Sequence, residues 1–229
     1  VKNILLSPAD IESNELDELG LLPKNEWHTS VKTCWDISEK AASEQLEVFI
    51  QNGLTDYMER RNFPAKQGVS RLSPYLHFGQ ISPHKVWHRV ECEVDRTSKD
   101  VNQNIEHFFR ELGWREFSYY LLYHSPDLPN RNLQPRFDEF PWVKVSPHLE
   151  AWQRGLTGYP LIDAGMRELW QTGYMHNRVR MVVASFLVKN LLVHWKCGAD
   201  WFWDCLVDAD LASNSASWQW VAGTGTDST

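Results

Sequence analysis

The stretch "DADLASNSASWQW", residues 208–220, sets two carboxylates two residues apart, Asp208 and Asp210, then the amide of Asn214, then two indoles, Trp218 and Trp220. Acids followed by small residues and aromatic rings make a poor apolar core. Two other stretches carry polar side chains at helical spacing. In "ELGWREFS", Glu111, Trp114, Arg115 and Ser118 fall at i, i+3, i+4 and i+7 and share a face, so an acid, a guanidinium and a stacking ring stand together. In "NRVRMVVA", Asn177, Arg180, Met181 and Ala184 do the same, while Arg178 points elsewhere. The remainder of that helix is apolar almost all round, with Val179, Val182, Val183, Phe186 and Leu187, which predicts burial. A buried guanidinium needs a partner, and Asp208 or Asp210 is the natural one.

These residues need helices to hold them. Ser38 is an N-cap signal with Ala41 at N3, and Leu46, Phe49, Ile50 and Leu54 follow at helical spacing. A Gly- and Pro-containing loop comes next. Further helices are expected over about 82–94, 100–124, 147–155, 160–172, 176–195 and 199–206. Strand alternation is nearly absent, so the fold class is mostly α, a compact array of helices with long functional loops. Residues 1–35 are acidic and Pro-containing with no sustained apolar period, and are expected to be an interdomain linker. Residues 36–229 then form the helical domain.

At 229 residues the chain can bury one sizeable core. Its twelve tryptophans are many for mere filler, because each indole N–H wants a partner, and they point to a site that stacks flat rings. The net charge of −7 is carried by residues 1–60, which hold 12 acids and 5 bases. Leu169 to Ala199 contains no acid but has Arg178, Arg180, Lys189 and Lys196, so a locally basic face is compatible with an acidic chain. The dispersed Cys34, Cys92, Cys197 and Cys205 read as free thiols of a reducing cytosol. No apolar run reaches membrane-spanning length. No metal is expected. His84 and His88 have the zinc-protease spacing, but Lys85 stands where its Glu would be. "DADLASN" opens like a calcium loop, but Ser213 and Gln219 occupy its Gly and Glu positions.

Four segments, "GVSRLSPYLHFGQISP", "ELGWREFSYYLL", "TGYPLIDAGMRELWQTGYMHNRVRMVVASFLVKNLL" and "DADLASNSASWQWVAGTGTD", together resemble the all-helical FAD-binding domain of the photolyase/cryptochrome family, nearest to bacterial cyclobutane pyrimidine dimer photolyases. The resemblance runs from about Ser38 to the last residue. It implies an N-terminal α/β domain, carrying an antenna chromophore, that this sequence lacks, and a C-terminal continuation past Thr229.

The resemblance also implies a cofactor, FAD, fully reduced in the active state. Its contacts would fall on Tyr57, on Val69, Ser70, Arg71, Leu72 and Ser73 of a phosphate-binding loop, and on Glu111, Arg115, Asn177, Arg180, Asp208, Asp210 and Asn214. Val69 stands where the family usually has Thr, which removes one hydroxyl, and Tyr174 replaces a common Trp. The implied activity is light-driven reopening of pyrimidine dimers in damaged DNA by electron donation from the excited flavin, with Asn214 facing the ring nitrogen that changes protonation. A dimer flipped from the duplex would be clamped by Trp114 and Trp220. Glu111, Asn177 and Met181 would line its pocket, and Arg61, Arg115 and Arg178 would meet phosphates or the lesion's surroundings. Trp142, Trp195 and Trp218 match the family's electron-hopping chain. If 208–220 were extended, Trp218 and Trp220 would share a face, so a helical or irregular turn must separate them. A monomer of the bacterial cytoplasm, at the nucleoid when DNA-bound, is implied. The alternatives are a cryptochrome-type photoreceptor, against which Asn214, Met181 and Trp220 speak, and a fragment that binds nothing.

Overall fold

The computed structural model describes residues 13–21, 26, 28–93, 98–143 and 147–226. Eleven α-helices run through them: α1 (His28–Cys34), α2 (Glu39–Asn52), α3 (Tyr57–Arg60), α4 (Ser73–His77), α5 (Pro83–Glu93), α6 (Lys99–His124), α7 (His148–Gln153), α8 (Pro160–Thr172), α9 (Asn177–Ser185), α10 (Trp195–Cys205) and α11 (Leu211–Ala222). No strand occurs among the described residues. The Ser38 hydroxyl caps α2 by accepting from the Ala41 N–H at 3.0 Å, as the sequence predicts.

Two cores divide the molecule. One gathers Leu46, Phe49, Leu54, Ile81, Val86, Ile105 and Phe108 from α2, α5, α6 and their loops. The other gathers Trp152, Met166, Leu169, Val183, Leu187, Trp195, Phe202 and Trp218 from α7 to α11. The long α6 packs against both α3 and α11, so it spans the seam between them. Close helix approach needs glycine at the second core. A Cβ on Gly165 of α8 would lie 2.4 Å from Val179 Cγ1 of α9. Gly173 ends α8 at φ 67°, in the left-handed region that glycine adopts without strain.

Two sequence expectations are corrected. The helix expected over 176–195 is interrupted. Residues Phe186–Asn190 form a wider π turn, Leu192 takes φ 53°, and α10 begins afresh at Trp195. No Gly or Pro marks this break. Burial of Val193 and its N–H bond to the Leu187 carbonyl (3.2 Å) hold it instead. Residues 211–222 form a regular helix that apolar periodicity does not reveal, because small polar residues fill it. Within the expected linker, α1 forms and packs on α8, and the Trp35 indole N–H bonds the Thr172 carbonyl at 2.8 Å. Residues 1–12, 22–25 and 27 of that segment lie outside the described residues.

Helices α9 and α10 share an uncommon cap. The Nδ1 of His176 accepts from the Arg178 N–H (3.2 Å), and the Nδ1 of His194 from the Lys196 N–H (3.0 Å). Both roles require a neutral ring. Burial lowers the pKa of each, helped by Arg178, Arg180 and Arg61 around His176 and by Lys196 beside His194. The unfolded chain therefore binds protons that the folded chain refuses. Stability is complete above the ordinary histidine value, ~6.5, and falls as pH drops below it toward the folded values. Thermal unfolding followed between pH 8 and 5 will show this loss. His194→Asn, which caps without titrating, will remove the His194 share of it and leave that of His176.

Candidate functional site

A cleft of about 370 Å3 opens at the seam of the two cores. Helix α6 supplies Glu111, Trp114, Arg115 and Ser118 to its wall, the four residues placed on one face by spacing. Helix α9 supplies Asn177, Arg180, Met181 and Ala184, the second such face. The loop from Val69 to Ser73 closes one end with Tyr57 and Arg61, and Asp208, Asp210, Asn214 and Trp218 close another. Three independent sequence signals thus converge on one cavity.

Arg180 selects Asp208. Its Nη1 and Nη2 donate to the two carboxylate oxygens at 3.1 and 2.8 Å, and its Nε donates to the Met175 carbonyl at 2.7 Å. The pair is bidentate and charge-assisted. Burial alone would lower the Arg180 pKa; the Asp208 charge and hydrogen bond overrule it and hold the guanidinium charged. Ser73 Oγ donates to Asp208 at 2.6 Å, which ties the phosphate-loop candidate to the ion pair.

Asp210 has different partners, so it is not the Arg180 counter-ion. Its Oδ1 caps α11 by accepting from the Ser213 N–H at 2.8 Å, and its Oδ2 accepts from the Tyr119 hydroxyl. His77 Nδ1 stands 3.7 Å from the same oxygen, beyond hydrogen-bond reach, and is buried without a hydrogen-bond partner. Burial pushes the Asp210 carboxyl up; the bonds from Tyr119 and Ser213, with His77 nearby, outweigh it and hold the pKa below the usual range. That depression contributes stability above the unfolded carboxyl value and loses it as pH falls through the folded one. Tyr119→Phe should cost about 1–2 kcal/mol at neutral pH. In denaturant titrations its difference from the parent should shrink as pH falls through the folded Asp210 value and the carboxyl takes up its proton.

The Val69–Ser73 loop is held in a strained shape. Arg71 sits at φ 54°, in the left-handed region. Its guanidinium lies over the Trp35 and Tyr174 rings, 4.9 and 4.8 Å from their centroids, and cation–π attraction offsets the strain. Gln45 Nε2 donates to the Ser70 carbonyl at 2.9 Å. The backbone N–H groups of Ser70, Arg71 and Ser73 have no hydrogen-bond acceptor among the described residues. Free N–H groups in a turn suit an anion. The Ser73 hydroxyl proton is already committed to Asp208, so this side chain can serve a ligand only as an acceptor.

Asn214 Nδ2 donates to the Ala199 carbonyl at 2.9 Å, which fixes the amide. Its Oδ1 and second hydrogen remain for a ligand. Arg61 is buried and ion-paired with Glu111, and that bond raises its pKa against the effect of burial. The pair fixes the guanidinium in the wall of the cleft.

Four predicted residues lie outside the cleft wall: Trp142, Trp195, Arg178 and Trp220. Arg178 donates from Nε and Nη2 to Asn62 Oδ1, at 2.9 and 2.6 Å. Trp218 is 3% exposed and Trp220 42%, on different faces of α11, so the required turn is a helix. The Trp142 and Trp195 rings each stand beside His194, at 5.3 and 5.4 Å. Trp195 is fully buried and its Nε1 donates to Asn132 Oδ1 at 2.8 Å. Trp218 lies against Gly198, three residues along α10 from Trp195, with Phe202 at 5.0 Å and Trp152 at 6.2 Å.

Residues 108–229 match the family model described as the FAD binding domain of DNA photolyase. This chain belongs to that family. It is 49% identical over 218 residues to a deoxyribodipyrimidine photo-lyase of Agrobacterium fabrum, covering 94% of this chain and 45% of the relative. It is 40% identical to cryptochrome-1 of Arabidopsis thaliana, covering 85% of this chain and 28% of the relative. The crystal structure of a class III photolyase from Agrobacterium tumefaciens superposes with a TM-score of 0.88 at 46% identity, covering 98% of this chain and 46% of that one. The photolyase-family domain described here therefore spans about half the length of the photolyases it matches.

The cleft suits the cofactor that gives the family its description. It offers unpaired N–H groups, an anchored amide, a guanidinium paired with a carboxylate, and apolar Leu72, Phe108 and Phe202. Sequence reasoning missed His77, Tyr119 and Phe202. Tyr119 adjoins the predicted face of α6, and its role depends on Asp210, 91 residues away. No local pattern signals such a contact. No helix among the described residues is long and apolar enough to cross a membrane.

Proposed function

We propose that this photolyase-family domain binds FAD in the cleft and carries the light-dependent repair of cyclobutane pyrimidine dimers in DNA. The observation that carries the reading is the meeting of the Arg180–Asp208 pair, the anchored Asn214 amide and Trp114 in one cleft. Bound FAD, in its reduced form, would supply the light-driven electron chemistry. The Ser70, Arg71 and Ser73 N–H groups bind its pyrophosphate, and Tyr57 and Arg115 complete that end. Arg180, neutralised by Asp208, orients the ring system without adding net charge. Asp210, aimed by Tyr119 and the α11 cap, accepts a ring N–H. Asn214 presents its free amide atoms to the central ring. Trp114, half exposed at the wall, stacks on a flipped dimer, with Glu111, Asn177 and Met181 around it. Arg178 and Trp220, outside the wall, meet the surrounding strand. Trp142, Trp195 and Trp218 form the route by which electrons enter from the surface.

The same reading includes an antenna chromophore on an α/β domain, and a monomer that works in the bacterial cytoplasm and joins the nucleoid when it engages DNA. Residues 1–35 are read as the connection to that domain.

The test is blue-light illumination of the FAD-loaded, chemically reduced protein with thymine-dimer DNA. Dimers should disappear only in the light. Unchanged dimer content with a light-responsive flavin would overturn repair and leave the photoreceptor reading. Trp218→Phe should abolish photoreduction of oxidised flavin while sparing repair by chemically reduced protein.

A further inference from the structure

We propose that Asn132 is a positioning residue for electron transfer: its side-chain oxygen, aimed by Asp138, leaves the Trp195 indole proton in place when that ring has lost an electron. The inference rests on Trp142, Trp195 and Trp218 being the electron route. Trp195 is fully buried, and its Nε1 donates to Asn132 Oδ1 at 2.8 Å. Asn132 Nδ2 in turn donates to Asp138 Oδ1 at 2.8 Å. That second bond decides which end of the amide faces the indole, because only its NH2 group can donate to a carboxylate. A buried indole, a neutral amide and an exposed carboxylate thus stand in series from core to surface.

The loop that carries Asn132 is fastened to the helix that carries Trp218. Gln219 of α11 is fully buried. Its Nε2 donates to the Leu128 and Arg131 carbonyls at 2.7 and 2.8 Å, and its Oε1 accepts from the Leu133 N–H at 2.8 Å. Asn132 lies between two of these anchors, so the residue beside Trp218 sets its place against Trp195. Any acceptor would satisfy a buried N–H; the kind of acceptor matters once the ring is oxidised. Trp218 gives one electron to the light-excited oxidised flavin and takes one from Trp195. Trp195 is then one electron short, and its N–H becomes a strong acid. A carboxylate in contact would take that proton. An amide oxygen is too weak a base to do so, yet its dipole, polarised by Asp138, stabilises the positive ring. The His194 imidazole beside Trp195 and Trp142 is no base for them either, because its Nδ1 lone pair is committed to the Lys196 N–H. The Trp142 Nε1 is buried with no partner among the described residues. Neither ring has a base on its N–H, so an electron from Trp142 can refill Trp195 with no proton to recover.

Flash photolysis of the FAD-loaded, oxidised protein tests it, because an indole radical cation and the neutral radical left by loss of its proton absorb at different visible wavelengths. The Trp142→Phe background stops the electron vacancy at Trp195. There the cation should appear and decay alike in H2O and D2O. Adding the exchange Asn132→Asp with Asp138→Asn keeps the hydrogen-bonded series and its volume but sets the carboxylate against the indole. The spectrum should shift to the neutral radical, with slower conversion in D2O. Asn132→Leu should lower the yield of long-lived cation about threefold to tenfold, as expected for one lost hydrogen bond. A neutral radical before the exchange, a persistent cation after it, or an unchanged yield in Asn132→Leu would each overturn the proposal alone. No indole radical with Asn132 in place would overturn the electron route and the proposal with it, whereas dimer repair by the chemically reduced protein is read separately.

Discussion

Asp208→Ala should destabilise the protein more than any other single change in the cleft, by about 3–5 kcal/mol. The Asp208 side chain is 3% exposed and that of Arg180 23%. Removing the carboxylate leaves a largely buried guanidinium with one neutral acceptor, the Met175 carbonyl. It also strands the Ser73 hydroxyl. For a domain of this size the melting temperature should fall by roughly 6–20 °C. Asp208→Asn, which keeps shape and one acceptor, should cost less. The cause can be separated from mere packing by the double change Arg180→Met with Asp208→Leu. If an uncompensated charge is the main penalty, the apolar pair will recover most of the loss. If the double variant is as unstable as Asp208→Ala, the geometry of the pair matters more than its charge. FAD affinity gives a separate reading, because the double variant should stay folded and still bind weakly.

The site was legible where chemistry rides on a single helix. Glu111, Trp114, Arg115 and Ser118 reach the cleft together because helical geometry allows nothing else. The need to pair Arg180 was legible too, but the choice between Asp208 and Asp210 was not. That choice depends on where α11 starts, and the Asp210 side chain is consumed in capping it. The same helix shows why fold reading faltered at the tail. An amphipathic stripe marks a helix with one wet side, whereas α11 is packed against α6, α9 and α10 and mixes small polar residues with indoles. The break between α9 and α10 was hidden for a related reason. It is imposed by burial of Val193 and by the His194 cap, with neither Gly nor Pro to announce it. The two cores, and hence the cleft at their seam, follow from contacts between distant segments that periodicity does not encode.

Gly198→Ala carries the second large effect, and it reaches the cleft through packing alone. A Cβ there would lie 2.1 Å from Trp218 Cη2, 2.4 Å from Cζ3 and 2.7 Å from Leu187 Cδ2. None of these atoms is the free end of a flexible chain. Trp218 is a rigid ring wedged beside Phe202 and Trp152, and Leu187 is fully buried. Overpacking of this kind costs about 1–3 kcal/mol, and the upper end is expected here. The indole also lines the cleft, so a displaced ring should lower FAD affinity as well as stability. Gly113→Ala is the contrast. Its Cβ meets nothing within 4 Å in the middle of α6, and it should stabilise by about 0.5–1 kcal/mol through helix propensity. Trp218→Phe removes the atoms with which the new methyl collides. The Gly198→Ala penalty should therefore shrink sharply in the Trp218→Phe background, and a double-mutant cycle of denaturation energies measures that coupling. A strictly additive cycle would mean that α10 shifts as a body and that Gly198 does not seat the indole against the cleft.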